Sequence, residues 1–177
     1  MLVALLSLAI AAGNGAAAPH LPNRPVARLD LQRYSGHWYE IAHLPQYFQR
    51  QCVDTITATY TPQPDGTLQV RNACRRNDGR ISAVTGVART VAGQPGALQV
   101  RFAPRWLTWL PAVWGDYWVL DLDPGYQWAV VGGPSRKSLW VLSRAPAMDR
   151  ALFERLEADA RARGYPVDRL VLAAPLR

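Results

Sequence analysis

Few side chains in this sequence are placed to make or break a bond. There are three histidines and two cysteines among 177 residues. His20 lies in a proline-rich stretch, while His37 and His43 share one apolar-alternating segment. No acid or second ligand stands near these histidines at a recognised metal-binding spacing. There is no H-x-x-x-H pair, no serine in a Gly-x-Ser-x-Gly elbow, and no phosphate-cradling glycine loop. Asp116, Asp121 and Asp123 are close in sequence, but turns and strand ends attract aspartate without any chemistry. Cys52 is a nucleophile in principle, and Cys74 is its natural partner. A protein that is not an enzyme, with no metal and no cofactor, is the expectation. The alternative enzyme would need a free Cys52 thiolate or an acid such as Asp54 facing a cavity.

The remaining concentration of functional side chains is apolar. Trp106-Leu-Thr-Trp109-Leu-Pro-Ala-Val-Trp114 and the pair Tyr47-Phe48 lie between periodic segments. Apolar patches outside a core mark ligand, membrane or partner surfaces. Short alternating segments recur about every ten residues: Gly36–Leu44, Asp54–Thr61, Thr67–Cys74, Ile81–Arg89, Ala97–Phe102, Tyr117–Asp121, Gln127–Gly132 and Ser138–Arg144. Turn signals such as Asn77-Asp78-Gly79 and Asp123-Pro124-Gly125 separate them. Eight short strands at this spacing indicate an all-β sandwich or up-and-down barrel. From Asp149 to Arg163 the pattern turns helical, with Leu152, Phe153, Leu156 and Ala160 on one face. Asp149 is placed to cap that helix and Gly164 to end it. An extended piece, Val167 to Ala173, follows.

The N-terminal eighteen residues differ from the rest. An apolar run from Leu2 to Ala12 followed by small residues predicts a signal peptide over 1–18, with a buried N-terminal helix as the alternative. No cysteine stands at that junction, so a soluble export product without a lipid anchor is expected, in the periplasm or associated with an outer membrane. Residues 19–28 read as a flexible leader and 29–177 as one domain. The net charge of +7 is almost all arginine. It suits an anionic membrane surface, but the arginines form no run or stripe, which argues against nucleic acid. A monomer or weak homodimer is expected.

Two cysteines in an exported chain favour a disulfide, the alternative being two reduced buried thiols. Asp54–Tyr60 and Thr67–Cys74 read as the arms of a hairpin turning near Pro64. Cys52 and Cys74 then fall close together at its far end, on the face shared by Ile56, Ala58, Tyr60, Leu68 and Val70. Closing a loop of this size stabilises by roughly 3 kcal/mol in the chain-entropy model.

Three segments carry a family resemblance. Leu31-Gln-Arg-Tyr-Ser-Gly36-His-Trp38-Tyr39-Glu40-Ile-Ala resembles the first lipocalin signature. Leu120-Asp-Leu-Asp123-Pro-Gly-Tyr126-Gln-Trp-Ala129 is similar to the second, with the two-residue gap between acid and tyrosine found in bacterial outer-membrane lipocalins. Leu139-Trp140-Val-Leu142-Ser143-Arg144 is similar to the third. The resemblance, to the bacterial and apolipoprotein D-like branch, runs from about Leu29 to Leu172. It implies an eight-stranded antiparallel up-and-down barrel with the C-terminal helix packed outside and a short final strand. It also implies that Gly36, Trp38, Tyr39, Glu40, Asp123, Tyr126 and Arg144 are structural, with Trp38 and Arg144 meeting at the closed end.

The same resemblance implies a carrier of fatty acids, lysophospholipids or similar amphiphiles, serving lipid storage, transport or membrane maintenance. Haem or a pigment held through His37 or His43 is the rival cargo. An eight-stranded barrel encloses one small ligand. Alternation nominates Ile56, Ala58, Tyr60, Val70, Phe102 and Trp118 as lining residues, although a one-residue slip would invert each list. Tyr47, Phe48, Arg105, Trp106, Trp109 and Trp114 fall on mouth loops. The tryptophan-rich loop is open to three readings: a ligand rim, a membrane- or partner-docking surface, or a loop packed on its own barrel. Arg105 is placed to meet a phosphate or carboxylate head, or is an ordinary solvated arginine.

Overall fold

A computed structural model describes residues 20–102 and 113–177. Alternating segments form β1 (Gly36–His43), β2 (Cys52–Pro62), β3 (Leu68–Arg76), β4 (Ile81–Val91), β5 (Gln94–Arg101), β6 (Gly115–Leu122), β7 (Trp128–Gly132) and β8 (Trp140–Ser143). Helix α1 (Leu31–Tyr34) precedes them, while α2 (Arg150–Ala162) and a short β9 (Val171–Leu172) follow. Each strand pairs antiparallel with the next, and β1 pairs with both β8 and β2, so the ring closes. Where β1 and β2 pair, over residues 36–39 and 57–60, closure leaves no free sheet edge.

Two apolar layers share the sheet. Inside are Trp38, Tyr60, Leu68, Val70, Ala88, Leu98, Val119, Ala129, Val131 and Leu142, with Tyr34 beneath them. Outside, Ile41, Leu120, Val130 and Val141 meet Phe153, Leu156 and Ala160 of α2. Fully burying side chains of this size stabilises by about 1.5–3 kcal/mol each. Asp149 caps α2 by accepting from the Leu152 N–H at 2.8 Å, and Gly164, at φ +86°, ends it in the left-handed region.

Helix α1 has no counterpart in the sequence reading. It spans four residues, too few to show a periodicity, and Asp30 holds it by accepting from the N–H groups of Gln32 and Arg33. The segment before it has neither helix nor strand, yet it is tied to the barrel. Val26 N–H donates to Val119 O at 2.8 Å, and Leu21 N–H donates to Ala162 O at 3.0 Å.

Bulges decide which side chains face inward. Residues three apart on a regular strand point to opposite faces, and an inserted residue reverses that. In β1 the register against β8 slips between Glu40 and Ala42, which places Glu40 and His43 together inside. In β6, Tyr117 and Val119 point inward, and the register against β7 slips only after Val119. Trp118, expected inside, lies outside and packs against the outer cluster.

The expected disulfide joins Cys52 and Cys74, with Cα atoms 5.5 Å apart. Irregularities in β2 make it reachable. Tyr60 pairs with Val70, but by the start of the strand Cys52 pairs with Arg76 instead of residue 78. Without that slip of two, Cys52 would stand four residues beyond the partner of Cys74, roughly 13 Å along the strand.

Candidate functional site

One end of the barrel is sealed by a single arginine. The Arg144 guanidinium carbon lies 3.8 Å from the centroid of the buried Trp38 ring. The guanidinium also donates to the carbonyls of Arg33, Tyr34, Ser35, His37 and Tyr126. Gly36, at φ +95°, is the residue that permits this approach: a Cβ there would stand 3.4 Å from Arg144 Nη1 in a backbone conformation strained for L side chains. Trp38 Nε1–H donates to Tyr34 O at 2.7 Å. Asp123 accepts from Gln127 N–H within the β6–β7 turn, and the Tyr126 hydroxyl accepts from Asp30 N–H at the foot of α1. Tyr39 points outward, edge-on to the exposed His37 ring.

Just above this seal three phenols share their hydroxyls. The Tyr117 oxygen lies 2.6 Å from that of Tyr34 and 2.7 Å from that of Tyr60. Burial pushes all three above the ordinary tyrosine value, and for Tyr117 the two neighbouring phenols add to the effect. Tyr117 and Tyr34 were not anticipated as interior residues. The choice of face for β6 hid the first, and the brevity of α1 hides the second.

Towards the other end the interior is polar in a different way. Glu40 and His43 are 7% and 8% exposed. His43 Nδ1 lies 2.5 Å from Glu40 Oε1, off the hydrogen-bond direction. Gln49 Nε2 donates to both carboxylate oxygens at 3.0 Å, and Gln49 Oε1 accepts from Trp140 Nε1–H at 3.2 Å. The sequence reading found no acid near His43; the β1 bulge supplies Glu40. Farther round, Asn72 stands opposite Ala58 and Val84, and its Oδ1 is buried with no partner among the described residues.

A cavity of about 200 Å³ reaches this network from outside, walled by His43, Gln49, Arg50, Ile56 and Val171 among others. It opens where β1 stops pairing with β2. Residues 36–39 of β1 pair with β2, whereas Ala42 and His43 pair with β9. Of the lining candidates, Ile56 borders this cavity, while Tyr60, Val70 and Ala58 belong to the inner cluster. Phe102 lies against Gly86 near the open rim, 40% exposed. Tyr47 and Phe48 project from a single 3₁₀ turn, 81% and 59% exposed. Trp114, expected at the mouth, instead packs on the outer face, with the Arg89 guanidinium 4.0 Å and that of Arg101 5.2 Å from its ring centroid. The nearby pair Gln99 and Asp116 faces outward as well. Arg105, Trp106 and Trp109 lie outside the described residues.

The side chains that the enzyme reading required are engaged elsewhere. Cys52 is in the disulfide. Asp54 is exposed and paired with Arg75, whose hydrogen bonds hold its carboxyl below the usual value. No group of three or more potential metal ligands occurs among the described residues, and no helix among them is long and apolar enough to cross a membrane.

Comparison with known proteins agrees with this geometry. Residues 29–175 match the family model described as a lipocalin-like domain. Temperature-induced lipocalin-1 of Arabidopsis thaliana is 42% identical over 149 residues, covering 82% of this chain and 78% of its own. The outer membrane lipoprotein Blc of Citrobacter freundii is 34% identical over 148 residues, covering 82% of this chain and 79% of its own. Among solved structures, insecticyanin from the tobacco hornworm Manduca sexta superposes with a TM-score of 0.65 at 20% identity, over 90% of this chain and 93% of that one. A closed antiparallel ring of eight strands, a helix against its outer wall and matches of this extent lead to one assignment: the chain belongs to the lipocalin family, whose members bind small hydrophobic ligands.

Proposed function

We propose that this protein carries a small amphiphilic lipid, of the size of a fatty acid or lysophospholipid, with the chain inside the barrel and the head towards the mouth. The observation that carries this reading is the asymmetry of the interior. It is apolar in the middle, sealed at one end by Arg144 and Trp38, and bordered at the other by a cavity beside buried polar groups. Burying about ten methylenes contributes ~8 kcal/mol before the costs of association, which is enough for useful affinity. The apolar run from Leu2 to Ala12 and the disulfide fit an exported protein. Several bacterial relatives bear the name outer membrane lipoprotein, which favours a role in lipid transport or upkeep at an envelope membrane. Exposed Tyr47 and Phe48 beside Arg50 suit transient contact with such a surface.

The test is native mass spectrometry of the purified protein, followed by extraction and identification of what it carries. One amphiphile per chain, released on denaturation, is the expected result. A protein that neither retains nor takes up any amphiphile would overturn the proposal. Haem is a weaker cargo candidate, since His37 faces outward and His43 is held against Glu40.

A further inference from the structure

Gln49 occupies an unusual position. It belongs to the 3₁₀ turn Tyr47–Gln49, which has no side-chain cap and buries none of its residues. Yet its amide reaches into the barrel and satisfies two interior groups at once. The NH₂ donates to both oxygens of Glu40, and the carbonyl oxygen accepts from Trp140 Nε1–H. A carboxylate buried this deeply needs donors, and here an exposed loop supplies them.

We propose that Gln49 stands in for the head of the cargo, and that Glu40 selects amphiphiles whose head donates hydrogen bonds, alcohols and amines, over free carboxylic acids. This rests on the carrier reading above and names the cargo class within it. Three observations support it. First, the cavity beside Gln49 measures about 200 Å³, below the 300–1,000 Å³ typical of ligand sites. A lipid therefore needs more room than that cavity offers, and Gln49 is part of its wall. Second, moving Gln49 exposes no buried apolar side chain of its own turn, so the displacement costs little beyond the bonds that the head replaces. Third, the inner face presents an acceptor without a partner among the described residues, Asn72 Oδ1, which a hydrogen-bond donor on the cargo can meet.

The chemistry then discriminates between heads. A hydroxyl reproduces both roles of the Gln49 amide, donating to Glu40 and accepting from Trp140. An ammonium reproduces the first with added charge attraction. A carboxylate head offers no donor and brings a second negative charge against Glu40 in a water-poor site. Arg50, which borders the cavity and stacks on Tyr47 at the rim, would favour the opposite choice if it governed selection.

Three ligands with the same chain, dodecanol, dodecylamine and dodecanoate, are titrated at neutral pH into the delipidated full chain. The expected order has dodecanol and dodecylamine about tenfold or more tighter than dodecanoate, the scale of one hydrogen bond to a charged group. Glu40→Gln should bring the three to within about threefold of one another. Gln49→Ala, which removes the internal competitor, should tighten dodecanol and dodecylamine several-fold. Thermal melts accompany each variant. If Glu40→Gln does not fold, the wild-type order and the Gln49→Ala gain still decide the matter. Equal binding of all three ligands, a preference for dodecanoate, or a folded Glu40→Gln that keeps the wild-type order overturns the selection by Glu40. Failure of all three to bind overturns the carrier reading itself.

Discussion

The two ends of this barrel use buried polar groups in opposite ways. At the closed end the polar groups find their partners within the fold: one guanidinium meets five backbone carbonyls, and two hydrogen bonds join three phenols. At the open end a buried carboxylate takes its donors from an exposed loop, and an amide oxygen has none. Such self-sufficiency makes a rigid plug. Dependence on a loop is the feature on which the proposed selection by Glu40 rests. Both ends draw on the same strand, since Trp38 and Glu40 are two residues apart on β1.

That contrast can be broken most forcefully at the plug. Trp38→Ala should cost about 3–5 kcal/mol, read as a loss of the cooperative thermal transition, because it removes the ring that Arg144 covers. A Trp38→Ala protein with normal melting and lost ligand binding would make the closed end a ligand site instead. Reduction of Cys52–Cys74, which pins the start of β2, should cost about 3 kcal/mol, measured by denaturant melts with and without reductant.

Smaller effects sharpen the comparison. Tyr117→Phe removes the hydroxyl that joins Tyr34 and Tyr60, for an expected loss of ~1–3 kcal/mol. The same cluster sets a pH response. Its phenols are held neutral in the fold, with pKa values raised above the unfolded value of about 10. The unfolded chain therefore loses these protons first, and the contribution is full below that value and lost as pH climbs above it. Melts above pH ~10 should fall more steeply for wild type than for Tyr117→Phe. Smallest of all, Tyr47→Ser with Phe48→Ser should leave stability within about 0.5 kcal/mol, checked by the same melts.

Much of the architecture was legible because period-two alternation and turn residues repeat. All eight barrel strands and α2 fall where the pattern put them, within a few residues. Facing was less legible. Trp118 was expected inside, but it shares the outer face with Leu120, while Tyr117 and Val119 take the inner one; alternation alone does not say which of two apolar sets faces in. An inserted residue leaves no mark in a single sequence, since Ile41 and Leu120 look like any strand residue. The Glu40–His43 neighbourhood was hidden for the same reason. Gln49 was invisible for another: a polar residue in a loop looks solvated until the loop's path is known. Trp114 shows the reverse error, an aromatic taken for a rim residue that the outer face claims through Arg89 and Arg101.

β1 changes neighbours partway along its length, from β2 over residues 36–39 to β9 at Ala42 and His43. The ring thus has two mechanical zones. Near the floor the seam is fastened by its own ladder. Near the top β1 keeps β9 as a companion whatever the beginning of β2 does. Separating the beginning of β2 from the upper part of β1 would therefore break no β1–β2 ladder pair, since the pairs that close the ring all lie at residues 36–39.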